Sequence, residues 1–183
     1  MNPPKNKKPF NLKAFLLSLA LVSSFIVVLS IKVIDVRPDY TVTKQKITRA
    51  DLVGFKEKVD RMVSDYTVRF ENELPIVHPP ADSDIYLLSR NYDWGKYILE
   101  LEQGKPYRLH LATLDMRHAI IIFELKMMNR IKIGEFKTIS FTPDKVGRFK
   151  ILCGEYCGPK HYAMVGTIIV TGEAEAEAEA VSD

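Results

Sequence analysis

At 183 residues the chain has room for one domain of ordinary size and short extensions. Hydrophobic residues make up 46% and charged residues 27%, a balance that excludes a disordered chain. The formal net charge is only +3 and no basic run is interleaved with aromatics, which excludes a nucleic-acid partner on electrostatic grounds.

Residues 1–13 carry Lys5, Lys7, Lys8 and Lys13, and no charge follows from Ala14 to Ile31. A bilayer core needs about 20 apolar residues of helix, so a single transmembrane helix is expected over 14–33. The lysines before it predict a cytoplasmic N-terminus and an extracytoplasmic remainder, as in a single-pass plasma-membrane protein in contact with lipid. A cleaved signal peptide is the rival; the apolar run is longer than a usual signal core, and no Ala-x-Ala-like site follows. Residues 34–84 read as a connecting region. Thr48 and Asp51 have the spacing of a capping box, and Leu52, Phe55, Val59, Met62 and Val63 recur at helical spacing. An amphipathic helix is expected from Arg49 to about Tyr66, packed on the domain or on a partner. Pro75, Pro79 and Pro80 then mark an irregular linker, with His78 as a surface residue.

Residues 85–171 change to short strands. Ile85 to Ser89 is apolar; Tyr97, Leu99 and Leu101 alternate with other residues, as do Tyr107, Leu109 and Leu111. Ala119 to Leu125, Lys137 to Phe141, Arg148 to Leu152 and Val165 to Val170 complete the set. Short strands with Gly, Asn and Pro-Asp turns between them predict a mainly β, antiparallel sandwich or barrel.

Between the last two strands lies Cys153-Gly-Glu-Tyr-Cys157-Gly-Pro-Lys-His161-Tyr-Ala-Met164, which holds both cysteines of the chain. Two thiolates, an imidazole and a thioether form a soft donor set that selects copper, zinc or iron–sulfur centres. Three other readings stay open on the residues alone. A disulfide across so short a loop would stabilise little. Zinc rarely takes methionine and favours Cys-x2-Cys pairs. A mononuclear blue-copper site leaves one cysteine over. A dinuclear site needs a second imidazole, from His78, His110 or His118. His110 falls opposite the apolar face of its strand, where solvent is expected. His118 opens a buried strand after Asp115 and is the better placed.

The pattern Cys153-x-Glu155-x-Cys157-Gly158-x-x-His161-x-x-Met164 resembles the CuA loop of the cytochrome c oxidase subunit II family. Asp115-x-x-His118 is similar to an upstream element of that family, Tyr92-x-Trp94 to its aromatic segment, and Val146-Gly147-x-Phe149 to the lead into the loop. The resemblance covers about Ile85 to Val170.

It implies a cupredoxin-like fold and a dinuclear copper centre. Cys153 and Cys157 would bridge the metals, His118 and Met164 would complete one, and His161 with the Glu155 carbonyl the other. It also implies a magnesium ion held at the subunit boundary through Glu155, and Trp94 or Tyr92 as the point where electrons arrive. The chain would be the non-catalytic electron-accepting subunit of a haem–copper oxidase. Its partners would be a c-type cytochrome or other soluble donor and a haem-bearing catalytic membrane subunit that reduces oxygen. A nitric oxide reductase subunit of the same superfamily and a stand-alone membrane-anchored copper-binding protein are the alternatives. One membrane helix where most family members have two, and the sequence Ala119 to Leu125 after His118, depart from the common pattern. Residues 172–183, with Glu alternating with Ala, read as an acidic low-complexity tail.

Overall fold

The computed structural model describes residues 10–34 and 40–172, with side chains of the first segment described through Val28. The expected cytoplasmic segment before Phe10 and the acidic tail after Gly172 lie outside the described residues.

The chain divides into two compact units, residues 1–37 and 38–183. The first holds helix α1, Leu12–Ile34. Asn11 accepts the Ala14 N–H at 3.2 Å, and Ser18 and Ser23 donate to carbonyls of the preceding turn. Phe15, Leu17, Leu21 and Phe25 are all exposed. Among the described residues, no helix is long and apolar enough to cross a membrane, so the expected span is not borne out there.

The second unit opens with β1 (Tyr40–Lys46) and α2 (Arg49–Tyr66). Thr48 caps α2: its hydroxyl accepts the Asp51 N–H at 3.3 Å, and Asp51 accepts the Thr48 N–H at 2.7 Å. The strands that follow are β2 (Thr67–Glu71), β3 (Leu74–Val77), β4 (Asp84–Ser89), β5 (Ile98–Glu102), β6 (Tyr107–Thr113), β7 (His118–Ile122), β8 (Met127–Ile131), β9 (Glu135–Phe141), β10 (Gly147–Cys153) and β11 (Val165–Thr171).

They form a four-stranded sheet, β1-β9-β6-β4, and a seven-stranded sheet, β2-β3-β5-β11-β10-β7-β8. The inner faces share one core, in which Ile85, Leu87, Leu109, Leu111 and Ile139 meet Leu99, Leu101, Ile120, Ile151 and Ile168. The expectation of a purely antiparallel arrangement is corrected: β4 with β6, β5 with β11 and β3 with β5 run parallel. The chain switches sheets between successive strands, so many neighbours are not hairpin partners. A period-two pattern reports burial, not strand direction.

Two places depart from simple alternation for a visible reason. β5 sits inside its sheet, and Glu100 on it is 1% exposed; Arg69 neutralises it through two hydrogen bonds of 2.7 and 3.0 Å. Helix α2 covers the outer face of the four-stranded sheet, where Phe55 packs with Leu88, Ala112 and Phe136.

Candidate metal centre

The site forms where β7 begins and β10 ends. Cys153 pairs with Ile120 across these strands, and the Gly154 N–H donates to the Ala119 carbonyl at 2.7 Å. The contact is close enough that a side chain on Gly154 would stand 2.3 Å from Ile121 Cδ1, so a larger residue there would force the Ile121 side chain to move. The loop then turns back through Gly158 into a short 3-10 turn, His161–Ala163, and enters β11. His161 N–H donates to the Gly158 carbonyl at 3.0 Å and Met164 N–H to the His161 carbonyl at 3.2 Å. This winding brings both His161 and Met164 back onto Cys157.

The resulting distances are short and all involve sulfur. Cys153 Sγ lies 3.8 Å from Cys157 Sγ, 3.8 Å from His118 Nδ1 and 3.2 Å from the Glu155 carbonyl oxygen. Cys157 Sγ lies 3.6 Å from His161 Nδ1 and 3.8 Å from Met164 Sδ. Both cysteines are free thiols. Sulfur–metal bonds of about 2.3 Å at near-tetrahedral angles place two sulfurs about 3.8 Å apart. The donor spacing therefore fits soft-metal ligation. His118, Cys153 and Cys157 together could hold a metal ion, their ligand atoms lying within 4.8 Å of one another.

Asp115 prepares His118 for this role. His118 is fully buried, and its Nε2 meets Asp115 Oδ1 at 2.9 Å. With Nε2–H donating to the carboxylate, Nδ1 carries the lone pair that faces the sulfurs. Asp115 is held in turn by the N–H groups of Asn91 (2.7 Å) and Met116 (2.8 Å) and by the Thr113 hydroxyl (3.1 Å). Burial raises its pKa, but these hydrogen bonds, led by His118, outweigh burial and hold it below the usual carboxylate value. Burial, reinforced by the neighbouring Cys153, pushes the Cys157 thiol up to about 11. Metal binding must therefore displace a proton there.

The remaining expected residues fall elsewhere. His110 is half-buried and not freely solvated as expected: its ring stacks on Tyr86 at 4.9 Å, Thr138 Oγ1 lies 2.8 Å from Nδ1, and Phe136 stands edge-on with ring centroids 6.3 Å apart. His78 faces Glu102 at 3.6 Å. Trp94 is 1% exposed and packs behind His118, ring centroids 6.1 Å apart, so it offers no surface to a soluble donor. Tyr92 is half-buried beside Gly158.

The Glu155 side chain does not fit the magnesium expectation. Arg117 and Arg130 flank its carboxylate at 3.6 and 3.3 Å. Two guanidinium charges there oppose a dication by direct repulsion. Sequence reading missed this pair; the only signal was the unusual basic run Lys126 to Lys132 that contains Arg130.

No protein-family model matches the chain. Among curated proteins it is similar to "Cytochrome c oxidase subunit 2" of Thermus thermophilus, 26% identical over 91 residues, half of this chain and 67% of that protein. A second Thermus protein of the same name aligns over 54% of its length. "Alternative cytochrome c oxidase subunit 2" of Bradyrhizobium diazoefficiens is 31% identical over 77 residues, 28% of its length. The alignments thus span from about a quarter to two thirds of these relatives. Among solved structures the chain is similar to the periplasmic domain of subunit II of cytochrome oxidase (CoxB) of Bradyrhizobium japonicum. The TM-score is 0.44 and the identity 19%, over 55% of this chain and 91% of that one. It is also similar to reduced rusticyanin, with TM-score 0.45 and 13% identity over 72% and 100%.

Proposed function

Because the chain is a relative of cytochrome c oxidase subunit II, we propose that its β domain carries electrons through a copper pair into a haem-bearing catalytic partner that reduces oxygen. The observation that carries this reading is that two free thiols lie 3.8 Å apart, with two imidazoles, a thioether and a carbonyl each within 3.8 Å of one of the sulfurs. Cys153 and Cys157 would bridge the metals, His118 and Met164 would complete one, and His161 with the Glu155 carbonyl the other. Copper shared between two thiolates supplies a one-electron carrier whose bonds rearrange little on reduction.

The chain's own residues prepare that site. Asp115 fixes the imidazole of His118 before metal arrives. Met164 and Trp94, each 1% exposed, exclude water from one side. Such preorganisation suits a redox centre and argues against a stand-alone carrier that must exchange its metal. Tyr156, Tyr162 and Val165 are exposed at 75%, 83% and 47% around the loop and supply an apolar surface for docking a donor such as a c-type cytochrome. Helix α1, 23 residues or roughly 34 Å long, is proposed to tether the domain to the outer face of the plasma membrane. The exposed apolar side chains of its described part support this reading.

The test is copper loading of the reduced chain, followed by metal analysis and EPR. The expected result is a purple protein with two coppers and hyperfine structure from one unpaired electron shared by both nuclei. A single copper with a mononuclear spectrum would overturn the dinuclear assignment.

A further inference from the structure

The turn at Asn91–Tyr92 touches both halves of the candidate centre. Arg90 and Asp93 exchange backbone hydrogen bonds of 3.1 and 2.9 Å across it, and both central residues have left-handed backbones, Asn91 at φ 48° and Tyr92 at φ 65°. Asparagine tolerates that conformation; at the second position glycine is the unstrained choice and a tyrosine is not. Strain of this kind persists where the surroundings hold the residue in place.

Two contacts hold it. The Asn91 N–H reaches Asp115 Oδ2 at 2.7 Å, and the other oxygen of that carboxylate orients His118. The Tyr92 ring lies on the loop at Gly158, which sits directly after Cys157 at φ 116°. The hydroxyl is 2.5 Å from where a Gly158 side chain would begin, and the ring carbons Cε1 and Cζ are 3.3 Å away. The second left-handed pair of the domain, Asn72 and Glu73 at φ 47° and 66°, joins β2 to β3. Glu73 there is exposed. The molecule therefore contains the same backbone twist with and without a ring laid on the metal loop.

We propose that Tyr92 is a positioning residue: its ring braces the Cys157–His161 segment through Gly158, while the turn it belongs to holds Asp115 and so His118, keeping the two ligand-bearing segments in register. The metal part of this statement rests on the proposed function; the bracing of the loop does not.

The experiment uses the full chain. In the reduced, metal-free protein, rates of Cys153 and Cys157 modification by a maleimide are read by mass spectrometry alongside the thermal midpoint. Copper release to a chelator is timed in the loaded protein. Tyr92→Gly relieves the strained backbone and removes the ring; Glu73→Gly relieves the same strain and removes nothing from the loop. Glu73→Gly is expected to keep or raise the thermal midpoint and Tyr92→Gly to lower it, since the ring also packs on the core. Only Tyr92→Gly is expected to speed Cys157 modification and copper release about tenfold, because opening of the loop exposes the thiol. Tyr92→Phe keeps the ring and restores rates to within twofold of wild type. If Tyr92→Gly does not fold, Tyr92→Asn carries the same readouts. Rates for the folded Tyr92→Gly or Tyr92→Asn chain that stay within twofold of wild type overturn the proposal, as does equal acceleration by Glu73→Gly. A wild-type chain that binds no copper overturns the proposed function and leaves the thiol rates to decide the brace.

Discussion

Two imidazoles of this domain, His118 fully buried and His110 partly so, have similar neighbours and different fates. His118 and His110 each place Nε2 near an aspartate, Asp115 at 2.9 Å and Asp84 at 3.1 Å. Both lie beside aromatic rings. They differ at the other nitrogen. Nδ1 of His118 faces Cys153 Sγ, whereas Nδ1 of His110 faces the Thr138 hydroxyl at 2.8 Å. The carboxylate orients a ring in either case, and the group opposite decides whether the lone pair is spent inside the protein or left for a metal. The contact at His110 is also less well aligned: Nε2 and Asp84 stand at ion-pair distance without a formed hydrogen bond.

Exchanging one histidine for alanine at a time should break this comparison most sharply. His118→Ala is expected to abolish the shared-electron EPR signal of the copper-loaded chain. His110→Ala should leave that signal intact and lower stability by about 1 kcal/mol, since Thr138 loses a half-buried partner. Denaturant unfolding measures the second effect, and loss of the signal in His110→Ala would reverse the assignment.

The aspartates come next in size. Asp115→Ala removes the acceptor that sets the His118 ring and should weaken copper affinity about 10–100-fold in chelator competition. Asp84→Ala should leave copper affinity unchanged.

A pH titration of the metal-free chain separates the thiol from the carboxylates. The Cys157 pKa rises from the ordinary 9.0 to about 11 on folding. The folded state then holds the proton more tightly than the unfolded one. The associated stability is complete below pH 9 and is lost as pH climbs towards 11. Cys157→Ala should flatten that alkaline slope in thermal melts. Asp115 and Asp84 have depressed values. At Asp84 burial raises the pKa but is outweighed by the close approach of His110 and the hydrogen-bonded Arg108 guanidinium. Their contribution is present above the usual carboxylate range and lost as pH falls through the folded values, so the acid limb should persist in Cys157→Ala. The smallest expected effect is that of Thr138→Val, about 0.5–1.5 kcal/mol with no change in copper binding.

Much of the centre was legible because its donors are local. Cys153, Cys157, His161 and Met164 lie in one loop whose glycines announce a turn, and the structure gathers them. His118 was separable from His110 by its place at the start of a buried strand. What stayed hidden depends on non-local packing. Helix α2 lies over the face that carries His110, leaving it half-buried in a gap with Phe55, Tyr86 and Phe136, a shielding that a period-two pattern does not record. Parallel pairing of β4 with β6 arises from sheet switching that no local pattern records. Arg117, just before β7, and Arg130 on β8 meet at Glu155, and only the fold brings them together.

The site's composition also has a consequence for how the domain assembles. Five of its six candidate donors belong to the β10–β11 hairpin, with Cys153 and Cys157 four positions apart, while His118 joins from 35 positions upstream of Cys153. Closing the longer loop costs about 2 kcal/mol more chain entropy than closing the shorter one. On that ground the hairpin is expected to gather its five donors before β7 docks, so an ion bound at that stage would meet an incomplete, more open set until His118 completed it.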